Sequence, residues 1–215
     1  MMSSQVQLEI ASFCKRCSDR LYGITDDESC VERFRDELPS LLCNKPLFAE
    51  ILHNIVEGGA YPDLGRSTMF DNELLLHADS SHLFTLRMFL WGPGECTVIH
   101  DHNSWGVIGP VSGVLGVFNY KREDNESREG YAHLIETEEL RCLPGETTFT
   151  LPLNQGIHKI GNLTQESMVS LSVYGKPLAR GYINGFDIDN DRIYKIFAPK
   201  SKKKILAFQA LAGLK

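Results

Sequence analysis

Apolar residues recur at helical spacing through the first third of the chain. Val6, Leu8, Ile10, Phe13, Cys17 and Leu21 approximate a 3.6-residue period. A second helix is expected after Asp26-Asp27-Glu28, whose charges suit a helix N-terminus. It carries Val31, Phe34, Leu38, Leu41 and Leu42, and Pro39 is expected to end or kink it. Pro46 fits the first turn of a third helix, with Phe48, Ile51, Leu52, Ile55 and Val56 on one face and Gly58-Gly59 as its stop. From about residue 70 the period drops to two. Short apolar runs occupy Leu83–Trp91, Cys96–His102, Gly106–Gly109, Val114–Lys121, Tyr131–Glu136, Glu139–Leu143, Thr147–Leu151, Ile157–Gly161 and Met168–Tyr174. Turn residues such as Gly92-Pro93-Gly94, Gly109-Pro110 and Pro144-Gly145 separate them. Eight or nine short strands so spaced predict an antiparallel sandwich or barrel. Lys200 to Leu214 returns to a helical pattern through Ile205, Leu206, Phe208 and Leu211. No repeat or low-complexity linker interrupts the chain, so one domain is expected over 1–215: a helical part at 1–69, a barrel at 70–199 and a helical tail at 200–215.

Composition narrows the classes. The 215 residues include 28 acidic and 22 basic side chains, a net charge of −6. A chain of this length buries roughly 70% of the surface it exposes when unfolded, enough for a core without staples. Hydrophobic content of 42% and charged content of 23% are ordinary globular values. They exclude global disorder and collagen-like or coiled-coil architectures. The acidic balance argues against a nucleic-acid partner, which needs a basic face. Lys200, Lys202, Lys203 and Lys204 are a local exception, read first as a solvated helix start. No stretch approaches 18 apolar residues, and Met1-Met2-Ser3-Ser4-Gln5 lacks the pattern of a signal peptide, so no membrane contact and a cytoplasmic location are expected. Six cysteines include the pair Cys14-Lys15-Arg16-Cys17, but it lies inside a helical pattern without a matching second pair. These are expected to be reduced helix cysteines.

Three of the seven histidines carry the candidate chemistry. His100 and His102 flank Asp101. On a strand their imidazoles share a face with Cα atoms roughly 7 Å apart, close enough to converge on one ion. Asp101 then faces the other way. His158, in Gly156-Ile157-His158-Lys159, is the candidate third ligand. The pair follows Gly92-Pro93-Gly94 with five residues between Gly94 and His100. His158 follows Gly145, Pro152 and Gly156, with Asn162 four residues on.

Together these blocks resemble the paired motifs of the cupin superfamily, which implies an all-β core: a double-stranded β-helix barrel, here with N-terminal helices and a C-terminal helix. Many cupins place a glutamate soon after the H-x-H. This chain has Asn103-Ser104-Trp105-Gly106-Val107 there, leaving three neutral imidazoles. Such a site keeps positions open for anionic ligands and suits Fe(II) that must take a thiolate and dioxygen. Zinc with a water is the rival chemistry, and nickel or manganese can occupy the same ligands.

From Leu74 to Tyr174 the residues resemble the cysteine dioxygenase family, nearer its bacterial 3-mercaptopropionate dioxygenase-like members. The resemblance rests on Phe89-Leu90-Trp91-Gly92-Pro93-Gly94, His100-Asp101-His102, Trp105-Gly106-Val107-Ile108-Gly109, Ile157-His158-Lys159 and Met168–Gly175. It implies oxidation of a small thiol to its sulfinate by dioxygen, with His100, His102 and His158 holding Fe(II). It also implies a hydrogen bond from Tyr174 to oxygen or substrate, with Ser170 as outer support. The family's S-x-H-x-Y reads Ser170-Leu171-Ser172-Val173-Tyr174 here, so Ser172 replaces a histidine. The cysteine that some members crosslink to the tyrosine falls at Gly106 or Val107, so no thioether is expected. The arginine that mammalian-type members use for the substrate carboxylate falls near Leu74, leaving Arg87 and Arg180 as candidates. Trp105, Tyr61 and Tyr120 are further candidates for the cavity wall. His53, His77, His82 and His133 lack a motif and are expected to be exposed or packed on helices. Two other classes stay open: a metallo-cupin acting on a non-thiol substrate, and a non-catalytic cupin that binds a small ligand. A homo-oligomer is compatible with each.

Overall fold

A computed structural model describes residues 4–65 and 68–213. Met1 to Ser3 and the predicted tail residue Leu214 lie outside the described residues. Three helices come first: α1 (Ser4–Leu21), α2 (Asp27–Leu42) and α3 (Lys45–Val56). Asp26 caps α2 by accepting from the Ser29 N–H at 2.8 Å. Against expectation, α2 runs through Pro39 to Leu42. The proline sits in the last turns, its carbonyl still accepts from Cys43 N–H, and Leu38 and Leu42 are fully buried, so packing outweighs one missing donor. Cys14 and Cys17 lie on the buried face of α1. Burial pushes both thiols up, Cys17 to about 12, which keeps them protonated.

Eleven strands follow, where eight or nine were expected. They are β1 (Glu73–Ala78), β2 (Phe84–Trp91), β3 (Ile99–His100), β4 (Gly106–Pro110), β5 (Leu115–Arg122), β6 (Leu134–Cys142), β7 (Thr148–Thr150), β8 (Ile157–Asn162), β9 (Met168–Gly175), β10 (Ile183–Asp187) and β11 (Arg192–Ile196). The two runs predicted at 131–143 fuse into the single strand β6, paired with β5 across a bulge. β1, β10 and β11 were not anticipated. All pairings are antiparallel. They form two sheets, the first ordered β1-β2-β9-β4-β7 and the second β11-β10-β3-β8-β5-β6. The hydrogen bonding thus describes two open sheets around a shared interior. A last helix, α4 (Pro199–Gly213), leaves from β11. Among the described residues no helix is long and apolar enough to cross a membrane.

The first sheet is covered on both faces. Outward-facing Phe84, Leu86 and Met88 of β2 and Leu171 and Val173 of β9 join the helices in one apolar cluster. Phe34 of α2 lies 5.0 Å from Phe84 and 5.5 Å from Trp105, ring centre to ring centre. A second cluster fills one end of the space between the sheets with Phe89, Trp91, Ile108, Leu115, Val117, Ile160 and Met168. Alternation along β2 and β9 then turns Thr85, Arg87, Ser170, Ser172 and Tyr174 into that same interior. One end is apolar and the other is polar.

Candidate metal centre

The polar end holds the three motif histidines. His100 and His158 are directly opposed across β3 and β8, and His102 follows the end of β3. All three are buried, and their ligand nitrogens lie within 4.8 Å of one another. His102 Nε2 and His158 Nε2 are 2.9 Å apart. Two nitrogens bound at right angles to one ion, each at about 2.1 Å, would be about 3.0 Å apart, so this pair is already spaced for a shared ion. His100 Nδ1 donates to the Val98 carbonyl at 2.9 Å, which leaves its Nε2 as the ligand atom. His158 Nδ1 is buried without a hydrogen-bond partner among the described residues. Burial lowers the pKa of all three, and for His102 and His158 neighbouring imidazoles lower it further. Three neutral, converging imidazoles fit a divalent cation.

Asp101 fixes this arrangement from behind. Its buried carboxylate accepts from Arg180 Nη2, Asn184 N and Asn184 Nδ2, each at 2.7 Å. Arg180 Nε also donates to Asn103 Oδ1 at 2.7 Å, and Asn103 Nδ2 reaches the carbonyls of Arg180 and Tyr182. Arg180 is therefore engaged in holding the histidine-bearing loop, and the residues that line the cavity do not include it.

The cavity beside the histidines measures 220 Å³ and includes Phe70, Glu73, Thr85, Arg87, His100, His102 and Tyr174 in its wall. At roughly 30 Å³ per water-sized group, it holds a compact molecule of a few heavy atoms. Arg87 donates from Nε to Thr85 Oγ1 at 3.1 Å and pairs through Nη1 with the buried Glu73 carboxylate, whose other oxygen accepts from the Met69 and Phe70 amides. Arg87 Nη2 has no hydrogen-bond partner among the described residues. Its guanidinium carbon lies 5.7 Å from the centre of the Tyr174 ring, which stacks on His102 at 5.5 Å. Burial pushes the Tyr174 hydroxyl up to about 12, against a smaller pull from the Ser172 hydroxyl, so it stays a proton donor. Gly106 pairs directly with Tyr174, and a Cβ there would meet the ring at 2.7 Å. Of the two positions matched to a crosslinking cysteine, Gly106 is the one beneath the tyrosine.

Other candidates fall elsewhere. The Ser170 hydroxyl accepts from Trp91 Nε1 at 2.9 Å rather than supporting Tyr174. Ser172 Oγ is buried on the same face of β9 and makes no well-formed hydrogen bond among the described residues. Trp105 packs in the helix–sheet core against Phe34 instead of walling the cavity. Tyr120 bonds Glu136 at 3.3 Å and lines a cleft on the outer face of the second sheet, while Tyr61 borders one beside α1. His53 and His82 are exposed, His77 is half-buried against Phe84, and exposed His133 pairs with Asp191 at 2.9 Å. Sequence reasoning missed Glu73, Asn184 and the clamping role of Arg180. Each works through a partner distant in the chain, and only the inversion of Asp101 between two histidines hinted at a clamp.

No family model matches the sequence. Among solved structures, the chain is similar to a cupin 2 domain-containing protein from Halorhodospira halophila, with 16% identity and a TM-score of 0.41 over 59% of this chain and 76% of that one. It is also similar to a cupin 2 conserved barrel domain protein from Salinispora arenicola CNS-205, at 14% identity and a TM-score of 0.36 over 53% and 83%. A cupin superfamily protein from Desulfitobacterium hafniense DCB-2 gives 11% identity and a TM-score of 0.34 over 48% and 74%.

Proposed function

We propose that this chain, read as one domain, is a metallo-cupin of the thiol dioxygenase type that converts a small thiol acid to its sulfinate. The carrying observation is a cluster of three neutral imidazoles, two of which, His100 and His102, line a 220 Å³ cavity that also presents Arg87 and Tyr174. His100, His102 and His158 are the residues that would hold Fe(II). When bound, the iron would supply a site where the substrate thiolate and dioxygen meet. Arg87 binds the carboxylate end of the substrate through its free nitrogen, taking the role first considered for Arg180. Tyr174, neutral at physiological pH, donates a hydrogen bond toward the reacting end and is steadied by His102 and Arg87. Ser172 faces Tyr174 with an uncommitted hydroxyl, and Ser170 holds β9 in place through Trp91. Trp105 serves the packing beneath the site.

The test is oxygen uptake by iron-loaded, anaerobically purified protein with 3-mercaptopropionate, cysteine and cysteamine. Uptake with sulfinate formation from the two carboxylates, and little from cysteamine, is expected. No uptake in protein shown to hold iron would sink the dioxygenase reading. The serine at 172, where the resemblance expects an imidazole, favours a second reading: a metallo-cupin for a non-thiol acid, which would keep its metal and ignore all three thiols. A purely binding cupin would instead show a ligand-dependent rise in melting temperature without turnover.

A further inference from the structure

Away from the cavity, α4 follows a lysine-rich start with the exposed apolar residues Ile205, Leu206, Phe208 and Leu211. Every described side chain from Lys200 to Leu211 is exposed, with Leu206 53%, Phe208 77% and Leu211 60% accessible. Isolated helices of about 15 residues are marginal in water even when rich in good helix formers, so such a helix calls for a surface to bind. Its exit is fixed: only Phe197 and Ala198 lie between β11 and the first helical residue, Pro199, and the Phe197 ring packs on Tyr182 at 5.7 Å.

Charge points to what it binds. Residues 199–215 contain five lysines and no acid, so residues 1–198 hold all 28 acidic side chains against 17 basic ones, a net −11. A basic, apolar arm is thus mounted on an acidic body. An anionic lipid surface would attract the arm and repel the body behind it, whereas a second copy of the body attracts it outright. The second sheet has a receiving surface on its open face. A groove of 550 Å³ is lined there by Val98, Ile99, Phe186, Ile188 and Tyr194, with Asp187 and Asp189. Val98 and Ile188 are 47% and 37% exposed. Lys159 and Arg192 also line the groove and leave it locally neutral, so apolar fit holds the helix there and the acidic body supplies the attraction. Tyr194 belongs to β11, the edge strand from which α4 departs, so arm and groove share one border of the sheet.

We propose that α4 is a dimerisation arm, exchanged reciprocally so that the helix of each chain lies in the groove of a second copy. The contact is isologous and closes on itself, giving a two-fold dimer and not a filament.

Light scattering coupled to size exclusion tests this on the full chain. Metal-loaded protein at tens of micromolar should run at twice the 24.2 kDa chain mass, and chain ending at Ala198 should run as a monomer with its metal retained. Phe208→Glu in the arm and Ile188→Glu in the groove should each shift the protein to monomer. An equimolar mixture of those two variants should recover some dimer, because one arm and one groove remain intact in the pair. A monomeric full-length chain overturns the proposal, as does a dimer that survives loss of α4. Binding of the full chain to phosphatidylserine vesicles without dimerisation would overturn it in favour of a lipid surface.

Discussion

The two sheets divide the labour unevenly. The second sheet carries the three imidazoles, on β3, on β8 and just beyond β3. The first presents Arg87 from β2 and Tyr174 from β9 on the opposite wall. Its central strands are covered on both faces, inward by the shared interior and outward by the N-terminal helices, while the outer face of the second sheet is open along β6 and β11. Behind the histidine-bearing strands lies only a small apolar cluster of Ile99, Ala132, Leu134, Ile157 and Phe186, and the loop that carries His102 is stiffened further by polar bonds. Rigidity at a site can come from an apolar backing or from a saturated carboxylate, and this molecule uses one on each side of the same cavity.

The difference can be broken at several points. His158→Ala removes a ligand from the second sheet. It should lower metal affinity by more than the roughly 10- to 100-fold that follows loss of a residue supporting a ligand, and metal analysis after desalting should find nearly empty protein. Phe34→Ala attacks the backing of the first sheet. A cost of about 3–5 kcal/mol in urea unfolding is expected from the cavity left against Phe84 and Trp105, with metal stoichiometry of the folded fraction unchanged. Loss of metal in that variant would show that the two sheets are not separable in this way.

Smaller effects sharpen the contrast. Tyr174→Phe deletes one hydroxyl from the first sheet's wall. It should keep the metal and slow turnover by roughly 10- to 100-fold, the worth of one buried hydrogen bond. Full activity in that variant would remove Tyr174 from the reaction. The smallest effect belongs to the loop between β5 and β6. Arg122 bonds the Asp124 carboxylate through Nε and Nη2 at 2.7 and 2.8 Å and, with the His133 and Glu126 amides, holds its pKa well below the usual range. A lowered folded-state pKa stabilises the protein above the unfolded value near 3.9, and that contribution drains away as the pH falls below it. Asp124→Asn should cost about 1 kcal/mol at pH 7, and its deficit against the parent should shrink as unfolding is followed down from pH 4 to pH 2.

The same asymmetry explains what could be read from the chain. The histidines were legible because glycine–proline turns bracket them at telling distances, and the three N-terminal helices because each has one buried face. β1 was not, since Leu74-Leu75-Leu76 is apolar on both sides and a doubly covered strand does not alternate. β10 and β11 hid for the opposite reason. They flank Asp187-Ile188-Asp189-Asn190-Asp191, which reads as a loop; β10 pairs with partners about 85 residues away at His100 and Ile99, and β11 pairs in turn with β10. Arg180 looked like a ligand for a substrate because an arginine near a tyrosine motif is chemically suggestive. Only the three-dimensional structure shows its charge already spent on Asp101.

That spent charge has a consequence for how the centre is filled. With Asp101 saturated by Arg180 and Asn184, and Asn103 tied to the carbonyls of Arg180 and Tyr182, the loop bearing His100 and His102 is held in place when the chain folds. An arriving ion meets rings already converged and has little backbone ordering left to drive. Which divalent ion such a preformed triad would hold then rests on ligand type, on the metals available and on how readily each sheds its water, with little left for a rearrangement of the protein to select.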